Sequence, residues 1–218
     1  MTLRGLLLDL DGTLADSQPV MRLAYARFLD SCGRVGSDGE FDSLNGPPLA
    51  EVVRRLIAAH RLEEPAEMLL ARYRDRIDAL YAAAPPRPGA RELLIWAQDN
   101  GIATGVVTSN DNRRTRDWLA EAGLADLIGV VVSGEMVTQG KPDPEPYRLA
   151  LGLIHCSAAE TVAVEDSPQG AQAALKAGLR CYALVAGAPL PTDWPRAAQP
   201  VADFTILLRL LHGPATER

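Results

Sequence analysis

The sequence predicts an α/β protein: an open parallel sheet with an all-helical segment inserted after the first strand. Three observations predict it. From Gly89 onward, strand-like and helix-like runs alternate. Residues 17–86 carry helical spacing and no strand pattern. A short apolar run, Arg4–Leu10, stands alone before that helical stretch. Strand–helix alternation builds parallel βαβ units with helices on both faces of one sheet, and the lone N-terminal strand joins that sheet by composition.

Arg4–Leu10 is apolar and short, and a glycine turn follows it, as expected of a buried parallel strand. Helical spacing follows over Pro19–Ser31, with apolar residues at 20, 23, 24 and 28. Gly36–Pro48 reads as a polar connection rich in Gly and Pro. Leu49–His60 and Pro65–Ala84 read as two more helices, and Pro85–Gly89 stops the second. The alternating part predicts helices at Ala90–Asn100, Asn112–Ala122, Pro144–Ile154 and Pro168–Ala177, and a last one over Phe204–Leu211. Strands are predicted at Ile102–Thr108, Val130–Ser133, Thr161–Val164 and Arg180–Leu184. The division is therefore a Rossmann-like core, 1–16 with 87–218, and a helical domain, 17–86.

Composition excludes several classes. The chain has 218 residues and a net charge of −6, which leaves no basic face for nucleic acid or an acidic membrane surface. No apolar stretch approaches the roughly 18 residues of a spanning helix. Three scattered cysteines without a C-x-x-C pair fit a reducing cytoplasm. His60, His155 and His212 lie far from any acid–nucleophile pattern. Only two of the 22 basic residues are lysine, Lys141 and Lys176. Lys176, before Gly178, fits a helix-end cation. Lys141, in Gly140-Lys-Pro-Asp-Pro144, has no such structural reason. Nothing in the sequence sets the oligomeric state.

In an open parallel sheet, ligands bind beyond the carboxyl ends of the strands. Four such places carry polar groups here. The first strand ends in Asp9-Leu-Asp11-Gly-Thr-Leu. Asp9 and Asp11, two apart, leave an extended chain on the same side and repel unless a cation sits between them or one is protonated. The second strand ends in Thr108-Ser109-Asn110, the fourth in Glu165-Asp166-Ser-Pro, and Lys141 follows the third. Thr108–Asn110 alone would serve as a helix cap, and Ser167-Pro168 and Asp143-Pro144 are good helix starts. Capping gives no reason for Glu165 and Asp166 side by side at the end of a buried strand. Oxygen donors without His or Cys suit a hard ion, Mg²⁺. Such an ion with an ammonium, a hydroxyl and helix N-termini suits a phosphoryl group. One carboxylate can then be the nucleophile and a second can move the proton.

These four segments, in this order, resemble the haloacid dehalogenase superfamily, and the resemblance spans nearly the whole chain. The helical segment resembles that superfamily's small cap, and Pro88-Gly89-Ala-Arg-Glu-Leu-Leu resembles the branch of phosphoglycolate phosphatases and β-phosphoglucomutases. The resemblance implies a Mg²⁺-dependent phosphatase acting on a small-molecule phosphate ester. It implies Asp9 as nucleophile, Asp11 as general acid and base, and Lys141 as the neutralising cation. Thr108, Ser109 and Asn110 would hold the phosphate. Asp9, the Asp11 carbonyl and Asp166 would hold Mg²⁺, with Glu165 as a ligand directly or through water. Gln18, Arg22, Tyr25, Asn45 and Pro48 are the candidate cap contacts to substrate.

Departures within the superfamily narrow the reaction. Its dehalogenases lack the second acid, and Asp11 is present. Its phosphonatases use a cap lysine, and residues 17–86 contain none. Its phosphoglucomutases carry a cap arginine after a glycine, where this chain reads Asn45-Gly46-Pro47-Pro48-Leu49; Arg22 or Arg54 are the available substitutes. A simple phosphatase is expected. A phosphomutase and a non-catalytic phospho-ligand binder are the alternatives.

Overall fold

In the computed structural model, which describes residues 2–44, 49–185 and 190–212, β1 (Gly5–Leu8) lies inside a six-stranded sheet. The other strands are β2 (Ala103–Val107), β3 (Val130–Val132), β4 (Thr161–Glu165), β5 (Arg180–Leu184) and β6 (Gln199–Val201). All pairs are parallel, in the order β3-β2-β1-β4-β5-β6. The chain builds outward from β1 to one edge, then returns to β1's other side. The switch between β1 and β4 opens a crevice at their carboxyl ends, where this architecture binds ligands.

Register decides which side chains meet there. Leu8 is level with Val106 on β2 and Val164 on β4. The next residues, Asp9, Val107 and Glu165, therefore reach the carboxyl edge together. The Asp9 N–H still bonds Val164 O, 3.0 Å away, and Thr108 N–H bonds Val132 O at 2.9 Å. Leu7 packs with Val107, Tyr147, Ala163 and Ala174 on one face. Leu6 and Leu8 point to the other face by strand alternation and are equally buried.

The helices of the core are α5 (Ala90–Asp99), α6 (Asn112–Glu121), α7 (Glu145–Leu153), α8 (Pro168–Lys176) and α9 (Phe204–His212). Asp111 caps α6 by accepting from the Arg114 N–H at 2.7 Å, and Ser167 caps α8 by accepting from Gly170 at 3.1 Å. These caps set the direction in which the segments after β2 and β4 leave the sheet. Lys176, in the last turn of α8, donates to Pro142 O at 3.3 Å.

The chain divides into two compact units, 1–16 with 85–218 and 17–84. The second unit holds α1 (Gln18–Ser31), α2 (Asp38–Ser43), α3 (Leu49–His60) and α4 (Ala66–Tyr81). Phe28 stacks on Tyr73 with centroids 4.7 Å apart, and Leu29, Val53, Leu56, Leu69 and Ile77 are buried around them. Both connections leave the core beside the Asp9–Thr13 loop. Asp16 N–H bonds Pro85 O and Arg87 N–H bonds Leu14 O, and Ala15 bridges to Asp11 and to Pro86. Among the described residues, no helix is long and apolar enough to cross a membrane.

Two elements depart from the sequence reading. The stretch read as a polar connection contains α2. Its signal is Ser37, whose hydroxyl accepts from the Glu40 N–H at 3.2 Å, ahead of the buried Phe41. The strand β6 carries Pro200, which masks it as a strand. It sits at the sheet edge, where proline's missing donor is tolerated. The first strand also leaves its ladder at Leu8, two residues earlier than its apolar run suggests.

One half-buried carboxylate joins three helices of the second unit. Glu40 accepts from the Tyr25 hydroxyl, and His60 Nε2 lies 2.9 Å from both Glu40 oxygens. Burial pulls the Glu40 carboxyl upward, but its bonds to Tyr25 and His60 outweigh that and hold it below its ordinary 4.5. A carboxyl depressed on folding contributes stability that is full above the unfolded value and lost as pH falls through the folded one. The thermal midpoint is therefore expected to drop on acidification below about pH 4.5. Tyr25→Phe should flatten that drop, and identical pH curves for the two proteins would contradict it.

Candidate active site

Lys141 is the pivot. Its ammonium donates to Asp9 Oδ1 at 2.6 Å and to Val107 O at 2.8 Å, and lies 2.6 Å from Glu165 Oε1. Three protons meet three acceptors, so the geometry uses every donor a lysine has. The side chain is 7% exposed. Burial alone would lower its pKa, but the two carboxylates override this and hold it well above the usual lysine value. Lys141 is therefore a fixed positive charge.

Glu165 is wholly buried. Its Oε1 also accepts from the Tyr147 hydroxyl at 2.6 Å, and its Oε2 from the Ser167 hydroxyl at 3.2 Å. Gly170 makes room for it: a Cβ there would lie 1.9 Å from Oε2. The spacing Glu165-Asp-Ser-x-x-Gly170 is thus the footprint of one buried carboxylate on the first turn of α8. Gly12 does the same for Asp166, since a Cβ at Gly12 would lie 1.9 Å from Asp166 Oδ2. Gly12 also has φ +78°, a backbone conformation that favours glycine.

Oxygens of Asp9, Glu165 and Asp166 lie within 4.8 Å of one another. Burial pushes both Glu165 and Asp166 above the ordinary carboxylate range, and the neighbouring Asp9 charge adds to it. One ammonium does not neutralise three carboxylates. The set contains no His or Cys, and its oxygen donors fit a hard divalent ion such as Mg²⁺.

The second strand brings Thr108, 3% exposed, whose hydroxyl accepts from the Asn110 N–H at 3.0 Å. Ser109 is exposed, and its carbonyl lies over Gly134, where a Cβ would approach it to 2.7 Å. The Asn110 amide nitrogen donates to Asp11 Oδ2 at 3.1 Å. The structure thus gathers Asp9, Asp11, Thr108, Asn110, Lys141, Glu165 and Asp166 at one end of the sheet.

The residues named as cap contacts lie in the other unit. Gln18 is exposed at the start of α1. Arg22 donates to Asp38 and to Asp42, 2.8 Å from the latter, and its guanidinium sits 4.5 Å from the Phe41 ring centroid. Tyr25 is 3% exposed, and its hydroxyl accepts from the Ser37 N–H besides bonding Glu40. Asn45 and Pro48 fall outside the described residues. Tyr147 and Arg114 are site neighbours that the sequence reading passed over, and Ser167, read as a helix start, also donates to Glu165. Tyr147 was legible only as a residue of a helix, since its hydroxyl finds Glu165 through the packing of α7.

Fold and site together are those of an α/β enzyme with acids and a lysine gathered at the switch point of its sheet. The chain belongs to the haloacid dehalogenase-like hydrolases, whose family model matches residues 6–184. It is 33% identical to a validoxylamine A 7'-phosphate phosphatase of Streptomyces hygroscopicus subsp. limoneus, over 82% of this chain and 84% of that one. It is 29% identical to a phosphorylated carbohydrates phosphatase of Thermotoga maritima, over 84% and 86%. The crystal structure of CbbY from Rhodobacter sphaeroides in complex with phosphate superposes with a TM-score of 0.80 at 26% identity, covering 94% of this chain and 96% of that one.

Proposed function

We propose that this chain is a Mg²⁺-dependent phosphatase that hydrolyses a small phosphate monoester through an aspartyl-phosphate on Asp9. The observation that carries this is the Lys141 ammonium, held between Asp9 and Glu165 at 2.6 Å from each, beside Asp166. A carboxylate oxygen paired with a buried cation is oriented for attack, and the same cation sits where charge develops on the phosphoryl group. Relatives named for phosphorylated carbohydrates and for a validoxylamine phosphate favour a polyhydroxylated phosphate ester, with phosphoglycolate as the smaller candidate.

Asp9 attacks phosphorus. The ester oxygen departs with a proton from Asp11. Water then attacks the phosphorus, loses a proton to Asp11, and the bond from phosphorus to Asp9 breaks. Thr108, with the backbone amide of Ser109, holds the phosphoryl oxygens, and the Asn110 amide orients Asp11. Asp9, the Asp11 carbonyl and Asp166 would hold Mg²⁺, which when bound neutralises the acids and draws charge from the phosphoryl oxygens. The bonds of Glu165 to Lys141, Tyr147 and Ser167 favour a supporting place for it, with any contact to the ion made through water.

We assign residues 17–84 as the cap that excludes water from the first step and admits it to the second. Its connections leave from beside the Asp9 loop, which supports that role. The hydrolase is favoured over the mutase because the arginines available for a second phosphate are already paired. Arg22 is taken by Asp38 and Asp42, and Arg54 by Glu51 at 2.6 Å.

The purified chain should release inorganic phosphate from nitrophenyl phosphate and from a subset of sugar phosphates and phosphoglycolate. Release should stop on chelation and return with Mg²⁺. The ion should also stabilise the wild type by about 2.7 kcal/mol at a hundredfold excess over its Kd, and Asp166→Asn far less. No release from any ester, or release indifferent to chelation, would overturn the assignment.

A further inference from the structure

Behind Asn110 stands Arg114, a residue that the reaction above does not use. The Asn110 amide nitrogen donates to Asp11 Oδ2 at 3.1 Å, while its carbonyl Oδ1 accepts from Arg114 Nη1. The same Oδ1 accepts from the Asp111 N–H at 3.3 Å. Arg114 Nη2 lies 3.4 Å from Asp111 Oδ2, and its side chain is 13% exposed. Asp111 in turn caps α6 through the Arg114 N–H. The first turn of α6 thus folds a charged side chain back toward the end of β2.

The two ends of an asparagine amide have nearly the same shape, so packing alone does not choose which faces a neighbour. A guanidinium carries donors only. With Arg114 and the Asp111 N–H on one side, the carbonyl end must face them. The NH₂ end is then the end left to face Asp11. We infer that Arg114 is a positioning residue for proton transfer: it fixes Asn110 so that its NH₂ end, and not its carbonyl, faces Asp11 Oδ2 and holds that carboxyl in place for the exchange. The inference rests on the phosphatase reading. The proton goes from Asp11 to the departing ester oxygen as its bond to phosphorus breaks, and returns to Asp11 from water in the second step.

A misheld Asp11 matters only where the leaving oxygen needs the proton. An alkoxide leaving group needs it and a nitrophenolate does not. Single-turnover release of alcohol from an alkyl phosphate should fall by about 10-fold or more in Arg114→Met, while release of nitrophenolate falls less than about 2-fold. Arg114→Lys, which keeps a donor toward Asn110, should recover part of the alkyl rate. Asn110→Ala should lower the alkyl rate at least as far as Arg114→Met does, and adding Arg114→Met to it should cost less than Arg114→Met costs alone. Equal loss on both esters, or none on either, would overturn the inference while leaving the phosphatase standing. A wild type that turns over neither ester would take both down.

Discussion

Asp9→Asn should reduce phosphate release by at least about 10⁴-fold while leaving the fold intact, because an amide oxygen cannot replace the carboxylate proposed to attack phosphorus. The substitution is nearly isosteric, and the Asp9 N–H keeps its bond to Val164 O. It also removes one of three crowded negative charges, so thermal stability without metal should hold or rise. The carboxylates that remain, Glu165 and Asp166, are the ones burial already pushes toward their neutral forms. Two measurements check this. Steady-state release gives the rate, and acid quenching with radiolabelled substrate shows whether label stays on the chain. Label should appear on the wild type and vanish in the variant. A variant that keeps a tenth of the wild-type rate would mean that a different group attacks phosphorus.

Lys141→Met should cost about 10²–10³-fold in kcat with Mg²⁺ saturating, the range expected for removing one fixed charge from a transition state. Here the structural consequence is as large as the chemical one. Lys141 supplies all three of its protons to Asp9, Val107 O and Glu165, and it is nearly inaccessible. Methionine fills much of the same volume but strands two acids in a buried place. Breaking a buried pair of this kind costs on the order of 3–5 kcal/mol. Lys141→Arg should not rescue, since a planar guanidinium does not present three donors from one nitrogen. Calorimetry and kcat on the same preparations separate the two losses. Stability falling without a fall in kcat would assign Lys141 a purely structural role.

Much of this site was written into residue order. Asp9-x-Asp11-Gly shows that two acids end a buried strand. The scarcity of lysine marks Lys141. The pairing of Glu165 with Asp166 stands out because a cap needs neither. Gly12 was legible as a turn residue and Gly170 only as part of a helix, and both also serve by leaving room. Gly12 and Gly170 leave space for the carboxylates of Asp166 and Glu165, residues that lie 154 positions after the first and 5 before the second. The α2 helix could have been found, since Ser37 and Glu40 form a capping pair ahead of an aromatic. Pro200 hid β6 because an edge position is a property of the finished sheet.

Periodicity and local chemistry belong to the chain itself: they determined the parallel core, the helical segment after its first strand, and the acids and lysine to which the chemistry is assigned. Register and packing belong to the folded molecule. They alone made Asp9 level with Val107 and Glu165, gave Lys141 three acceptors from the ends of three strands, and turned Tyr147 toward Glu165, 18 positions away. The reason is range. A capping bond or an apolar period is decided within a few residues, whereas hydrogen bonds across 18 or 132 positions exist only once the sheet has closed the distance.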